Sequence, residues 1–152
     1  MTSPDPGTTQ PAPGASPGSQ SRPGSPVVAV VATTPETAVA DMGRAMDLAG
    51  VSEFLSPDIK TQLKVNISWQ HWYPGCSTTP WQIEGVTKAL EARGHKDLIA
   101  AHNGTVVVNS YEGELKNKHK AAQEKVGLPD IHLDSPPNGW IDYKPKAEML
   151  VL

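Results

Sequence analysis

One cysteine and one phenylalanine are all that the 152 residues hold of those two types. A lone thiol excludes an internal disulfide, and it excludes any all-cysteine zinc or iron–sulfur site made by this chain alone. It fits a reducing compartment, so a cytoplasmic location is expected. No apolar run approaches the roughly 18 residues that a membrane helix needs, so a membrane is not an expected partner. The Lys and Arg residues form no cluster that reads as a phosphate-backbone stripe, and the formal net charge is −3, so nucleic acid is not expected either. The first 26 residues lack apolar surface. They hold seven Pro, four Gly, five Ser and three Thr, with only Asp5 and Arg22 charged. Such a segment has little burial to offset its conformational entropy and should stay disordered. With no basic start and no apolar core, it is not a secretory signal. The expected division is a low-complexity tail over 1–26 and one α/β domain over 27–152.

What is present begins at Val27. The run Val27-Val28-Ala29-Val30-Val31-Ala32 suits a strand buried on both faces. Thr33 and Glu36 have capping-box spacing, and Thr34-Pro35 is an alternative helix start. Ala38, Val39, Met42, Ala45, Met46 and Ala49 then recur at helical spacing, and Gly50 is placed to end the helix. A connector follows with the turn signal Ser56-Pro57-Asp58, and Phe54 and Leu55 are expected to plug the join to the next strand. Leu63, Val65 and Ile67 alternate on a second strand within Lys60–Ile67. Thr79-Pro80-Trp81-Gln82 starts a helix that buries Ile83, Val86, Ala89 and Leu90 and stops at Gly94, with Gly85 allowing a close helix neighbour. A third strand is expected over Asp97–Ala101, with Val106–Val108 as loop packing or a short extension. A helix is expected over Glu112–Val126, with Leu115, His119, Ala122 and Val126 on its buried face. On the same helix Glu112, Glu114, Lys116, Lys118 and Lys120 read as the solvated face. A fourth strand is expected at Ile131–Leu133. The alternation implies a three-layer α/β sandwich around a mostly parallel sheet of about four strands, with helices on both faces. The apolar run Met149–Leu152 is not closed by a turn, which suggests the amino-terminal part of a longer protein.

In an open parallel sheet, ligands bind outside the carboxyl ends of the strands. Two loops meet that criterion, Asn66–Thr79 and His102–Thr105. The helix starting at Pro80 directs free N–H groups and a partial positive charge to that edge, and Ser77, Thr78 and Thr79 add hydroxyls. A phosphate or carboxylate fits there. The plainer reading is that Thr79 caps the helix while Ser77 and Thr78 make local turns. His71, Cys76 and His102 lie on loops at the same edge, but their spacing matches no zinc signature. No metal is expected in this chain. Cys76 precedes a helix cap, which can lower a thiol pKa, but no base partner is evident. Trp69, Trp72 and Tyr73 could stack on a ligand ring; as loop aromatics they fit a packing lid better. The turn Ala32-Thr33-Thr34-Pro35 lacks the glycines of a dinucleotide fingerprint.

Several of these positions carry a family likeness. Lys64-Val65-Asn66, Gly75, Ser77-Thr78-Thr79-Pro80, then Val86, Ala89, Leu90 and Gly94 before a strand resemble the domain of unknown function 362 family in order and spacing. The opening run, the first helix and Gly50 also match, so coverage extends from about Val27 to about Ser135. The resemblance implies an α/β domain often encoded beside redox or iron–sulfur partners, without an established substrate. It also places Lys64 at a recurring motif, although a lysine there could equally reach out to water. There are departures. Val65 stands where that family usually has Pro, Thr79 where Asp is common, and His102-Asn103 where an acidic or glycine-rich turn is usual. The Lys-rich second half and ferredoxin-like cysteines of some members do not occur in these 152 residues.

The expected ligand set is therefore Lys64, Asn66, Ser77, Thr78, Thr79, His102 and Asn103, around a small anionic ligand. No cofactor is expected in this chain; an iron–sulfur cluster would belong to a missing region or a partner. Three readings stay open: an enzyme domain or half of one, a non-catalytic binding or interaction module that can engage a partner protein or a missing carboxyl-terminal half, and a truncated fragment without independent activity. The cap yields the first test. Thr79→Ala should destabilise the fold by about 1 kcal/mol in chemical denaturation. Unchanged stability with a lost ligand response would assign the hydroxyl to a site instead.

Overall fold

A computed structural model of the chain describes residues 27–73 and 75–134. The expected disordered tail at 1–26, the Pro/Gly-rich stretch from Ser135 and the apolar run at Met149–Leu152 lie outside the described residues. The described chain forms, in order, helices α1 (Ala38–Leu48) and α2 (Val51–Phe54), strand β1 (Thr61–Lys64), helix α3 (Pro80–Ala92), strand β2 (Leu98–His102), helices α4 (Ser110–Lys116) and α5 (His119–Val126), and strand β3 (Asp130–His132). The strands form one parallel sheet in the order β1-β2-β3. Each crossover between neighbours passes through helix, as parallel pairing demands. Helix α3 packs on α5, and α1 packs on α3. The core joins Val65, Ile83, Leu90, Leu98, Ala100, Ala122 and Leu128. The fold is α/β, and among the described residues no helix is long and apolar enough to cross a membrane.

The best-anticipated element is α3. Thr79 is its N-cap in extended conformation, Pro80 its first residue, and Thr79 N–H donates to Gln82 Oε1 at 2.9 Å. Gly94, at φ +91°, ends it in the left-handed region that glycine tolerates. The close approach expected of Gly85 is present. A Cβ there would stand 2.6 Å from the Met42 side chain and from the Val39 carbonyl on α1. Arg93, at the other end of α3, donates to the Gly43 carbonyl at 2.9 Å and pairs with Asp47.

Four expectations require correction. The run Val27–Ala32 forms no strand, and Val28 and Val30 are exposed. Its pattern implies burial against neighbours on both sides, and the described sheet ends at β1 without supplying one. The sheet thus has three described strands rather than about four. Helix α1 starts after Thr37 rather than at Thr33 or Pro35, because Thr34 to Thr37 close a turn in which the Thr34 carbonyl accepts from Thr37 and Ala38. Phe54 is 83% exposed at the end of the one-turn α2, leaving Leu55 alone to pack on the core. The helix expected over 112–126 is two helices. Lys118 takes a left-handed conformation at φ 62°, which breaks the helical phase. Leu115 is consequently exposed, and Glu114 is buried instead of solvated.

The α1–α3 contact gives a stability prediction. Gly85→Ala should lower unfolding free energy by about 1–3 kcal/mol, because the added methyl meets backbone as well as side chain. Urea denaturation checks it, with Gly43→Ala as the comparison: there a Cβ meets nothing closer than 3.5 Å.

Candidate functional site

The carboxyl ends of the three strands place Lys64, His102 and His132 along one edge of the sheet. Two layers form there, one at the surface and one beneath it.

The surface layer is the loop from Val65 to Thr79, fastened back on its own entrance. Asn66 N–H donates to Thr78 Oγ1 at 3.0 Å, and Thr78 N–H donates to the Asn66 carbonyl at 3.0 Å. Ser68 N–H donates to Ser77 Oγ at 3.2 Å, and Asn66 Nδ2 donates to Ser68 Oγ at 2.6 Å. The Thr79 hydroxyl donates to Gln82 Oε1. The hydroxyls of Ser77, Thr78 and Thr79 therefore all take part in local bonds. Lys64 Nζ donates to the Val65 carbonyl at 3.2 Å. Of the expected ligand residues, Lys64 and Thr78 meet in one cleft of about 340 Å³, which Gln82, Ile83 and Val86 also line. Asn103 lies beyond β2, donates to the Gly104 carbonyl and does not line that cleft. A larger depression of about 730 Å³ runs along α1 and α3, away from the strand ends, and is an open groove between helix faces.

The aromatic loop residues do not pack away as a lid. Trp69, Trp72 and Tyr73 are all substantially exposed, as is Trp81 at the start of α3. Trp69 tilts on His71 with ring centroids 5.5 Å apart, and the Lys118 ammonium stands 5.6 Å from the Trp72 ring. Asn117 holds the loop from below, its Nδ2 donating to the Trp69 carbonyl at 2.9 Å. His71 lies beside Lys116, and Cys76 is half-buried in a turn where its N–H donates to the Tyr73 carbonyl.

Beneath the surface lies a cluster that sequence reasoning missed. The ligand-type atoms of His102, Glu114, Asp130 and His132 all fall within 4.8 Å of one another. His71 and Cys76 are not part of it. The β2–β3 register explains the histidines: His102 pairs with His132 and Ala100 with Asp130, so Asp130 and His132, two residues apart, share a face with His102. Glu114 reaches in from α4 and Lys120 from α5. Glu114 Oε2 lies 3.3 Å from His132 Nε2, and Glu114 Oε1 3.6 Å from His102 Nε2. Asp130 Oδ2 lies 3.9 Å from each of those nitrogens, while its Oδ1 accepts from Lys120 Nζ at 2.7 Å. His132 Nδ1 is 2.9 Å from the Ser110 hydroxyl, and Tyr111 stacks on the ring at 3.7 Å. His102 is completely buried, and neither of its ring nitrogens reaches a hydrogen-bonding partner. A signal for this cluster existed in Asp130-Ile131-His132, whose period of two puts both polar groups on one face of a strand.

Burial sets the protonation of these groups. It holds His102 down to about 4, with the neighbouring His132 acting in the same direction. It raises the Glu114 carboxyl, helped by the charge of Asp130. Asp130 is also pulled upward by burial, but its pairing with Lys120 outweighs this and leaves it below the ordinary carboxylate range. His119, buried on α5 with Nε2 2.6 Å from the Thr78 carbonyl, is held below the ordinary histidine value by burial.

Comparison with known proteins adds no relative: no family model, no curated protein and no solved structure matches the chain.

The buried histidines predict acid sensitivity. A histidine whose folded-state pKa is depressed lets the unfolded chain bind the extra proton first. Its contribution is complete above about 6.5, the unfolded value, and is lost as pH falls toward the folded value. For His102 that window runs from about 6.5 down to about 4. Denaturant midpoints should fall between pH 7 and pH 5. His119→Gln, which keeps a donor for the Thr78 carbonyl, should make the profile shallower; an unchanged slope would remove His119 from the account.

Proposed function

We propose that this chain is an α/β domain of the kind found in the domain of unknown function 362 family, and that it binds a small phosphate- or carboxylate-bearing molecule at the carboxyl edge of its sheet. One observation carries the reading. Lys64 and Thr78, both singled out from sequence, line the same cleft next to the start of α3. An ammonium supplies charge, a threonine hydroxyl supplies a directed donor, and the helix start adds partial positive charge. A volume of about 340 Å³ suits a metabolite-sized ligand. The residues lining the cleft include no His, Cys, Asp or Glu, which leaves the Lys64 amine and the Thr78 hydroxyl as its reactive groups, with no carboxylate, imidazole or thiol among its lining residues to activate them. This favours binding over turnover at that point. Asn66, Ser77 and Thr79 shape the cleft by holding the loop. An iron–sulfur cluster, where the redox association of the resembled family applies, would belong to a partner protein or to another segment of a longer chain.

A second reading rests on a different observation. Trp69, Trp72, Tyr73 and Trp81 leave a large share of their aromatic surface uncovered on neighbouring parts of one loop and helix start. Exposed aromatic groups of this size are the residue types that anchor protein interfaces. The chain would then act as an interaction module, with the cleft at the margin of the interface.

Calorimetric titration with inorganic phosphate, pyrophosphate and di- and tricarboxylates separates these readings. At least one anion should bind, and Lys64→Ala should weaken it by about 10–100-fold, the loss typical of a charge-assisted hydrogen bond. Thr78→Val should weaken it less. Binding that is indifferent to Lys64→Ala would move the ligand elsewhere, and no binding by any anion would leave the interaction reading.

A further inference from the structure

The geometry points to a divalent transition-metal site formed by His102, Glu114, Asp130 and His132, largely buried between β2, β3 and α4. The site is separate from the surface cleft and does not depend on it.

The donor set comes first. Two imidazoles and two carboxylates converge, and no thiolate takes part. Mixed nitrogen and oxygen donors suit Zn²⁺, Fe²⁺, Co²⁺ or Mn²⁺, whereas Mg²⁺ and Ca²⁺ take oxygen almost alone. Spacing comes second. A tetrahedral ion with bonds of about 2.0–2.1 Å requires donors about 3.3–3.4 Å apart. The closest donor pairs stand at 3.3, 3.6, 3.9 and 3.9 Å. Glu114 faces His132 through Oε2 and His102 through Oε1, and the four donors together span up to 4.8 Å, so loading an ion draws the widest pair together by about 1.4 Å.

The supporting groups come third. A metal-bound histidine normally engages its other ring nitrogen, which fixes the tautomer and the ring plane. His132 does this through Ser110, and Tyr111 stacks on its face. Lys120 occupies the outer oxygen of Asp130 and leaves Oδ2 directed at the two Nε2 atoms.

The fourth argument is His102 itself. It is 0% exposed, and its Nε2 faces the carboxylates at distances too long for a hydrogen bond. A buried polar atom without a partner is costly in a native interior. An ion bonded to Nε2 satisfies that atom and Glu114 Oε1, which is also without a hydrogen bond. It also sets positive charge between the two neighbouring carboxylates, beside the one ion pair that Asp130 makes with Lys120. Four protein donors in a largely buried cluster suit a structural ion rather than one that keeps an open position for substrate. Its effect is to bind α4 to the sheet edge.

The test uses the tag-free full chain, stripped with chelator and supplied in turn with one equivalent of Zn²⁺, Co²⁺, Mn²⁺ or Fe²⁺. Elemental analysis after gel filtration should find about one ion per chain for at least one of them. The melting temperature should rise by about 10 °C at a hundredfold excess over Kd. Co²⁺ should give the intense visible bands of four-coordination, without the near-ultraviolet charge transfer of a thiolate. His102→Gln and Glu114→Gln should abolish stoichiometric binding, while His71→Gln and Cys76→Ala should retain it. Should the ligand variants fail to fold, Ser110→Ala keeps every donor and should weaken binding by about 10–100-fold. The proposal is overturned by no stoichiometric ion and no thermal shift in the wild type, by a thiolate signature, by binding that survives His102→Gln, or by Ser110→Ala binding as the wild type does.

Discussion

Strand β2 is the constraint on which the rest of the structure depends. It is bonded on both edges, to β1 and β3, and Ala100, Ala101 and His102 have no exposed surface. Alanine at two successive positions gives each face of the strand room for whatever covers it. Ala100 joins Ile83, Leu90 and Ala122, so α3 and α5 pack on that side. Residues two apart on a strand share a face, which turns His102 the same way as Ala100, toward the helical layer and not into solvent. A slip of one residue between β2 and β3 would send Asp130 and His132 to the opposite face and dissolve the cluster. The apolar requirement of Leu98 and Ala100 thus fixes the partners of His102.

A second device, the break between α4 and α5, completes the cluster. A continuous helix over these residues would present Leu115 inward and Glu114 outward. The left-handed backbone at Lys118 costs about 1–3 kcal/mol for a residue other than glycine. Asn117 holds it in place: its Nδ2 donates at 2.9 Å both to Gly113 on its own helix and to Trp69 on the β1 loop. Its side chain is almost wholly buried, so both bonds form away from competing water. The break redirects α5, and Lys120 meets Asp130 while Glu114 meets both histidines. Local strain and a polar interior occur together here, and neither has an apolar explanation.

The elements that could be read from sequence are those specified by adjacent residues. Thr79-Pro80 and Gln82 define the start of α3 by local bonds, and Gly94 and Gly50 mark helix ends that only need a positive φ. The three strands appear close to their expected places because short apolar runs flanked by turns are also local signals. Val27–Ala32 has the same local signal and forms no strand, since pairing depends on a distant edge that the run itself does not encode. The break at Lys118 is illegible in the sequence because lysine carries no preference for the left-handed region, and the burial of Glu114 is hidden with it. The sequence predicts His102 as a loop-edge ligand candidate, yet its partners sit on two other elements, β3 and α4, and meet it through sheet register and the placement of α4. Lys64 and Thr78 line one cleft for a simpler reason: strand exit and helix entrance around one loop are close by construction.

The two layers at the sheet edge share an electrostatic field. The charge of Lys64 is felt at His102, where it acts with His132 and His119 to disfavour protonation. In a low-dielectric interior such an effect extends beyond direct contact, while at the solvated cleft it is screened within about 8–10 Å at ordinary salt. His119 joins the layers by contact, since its ring meets the carbonyl of Thr78, whose hydroxyl and N–H both bond to Asn66. The buried layer thus reaches the surface through the peptide that closes the loop.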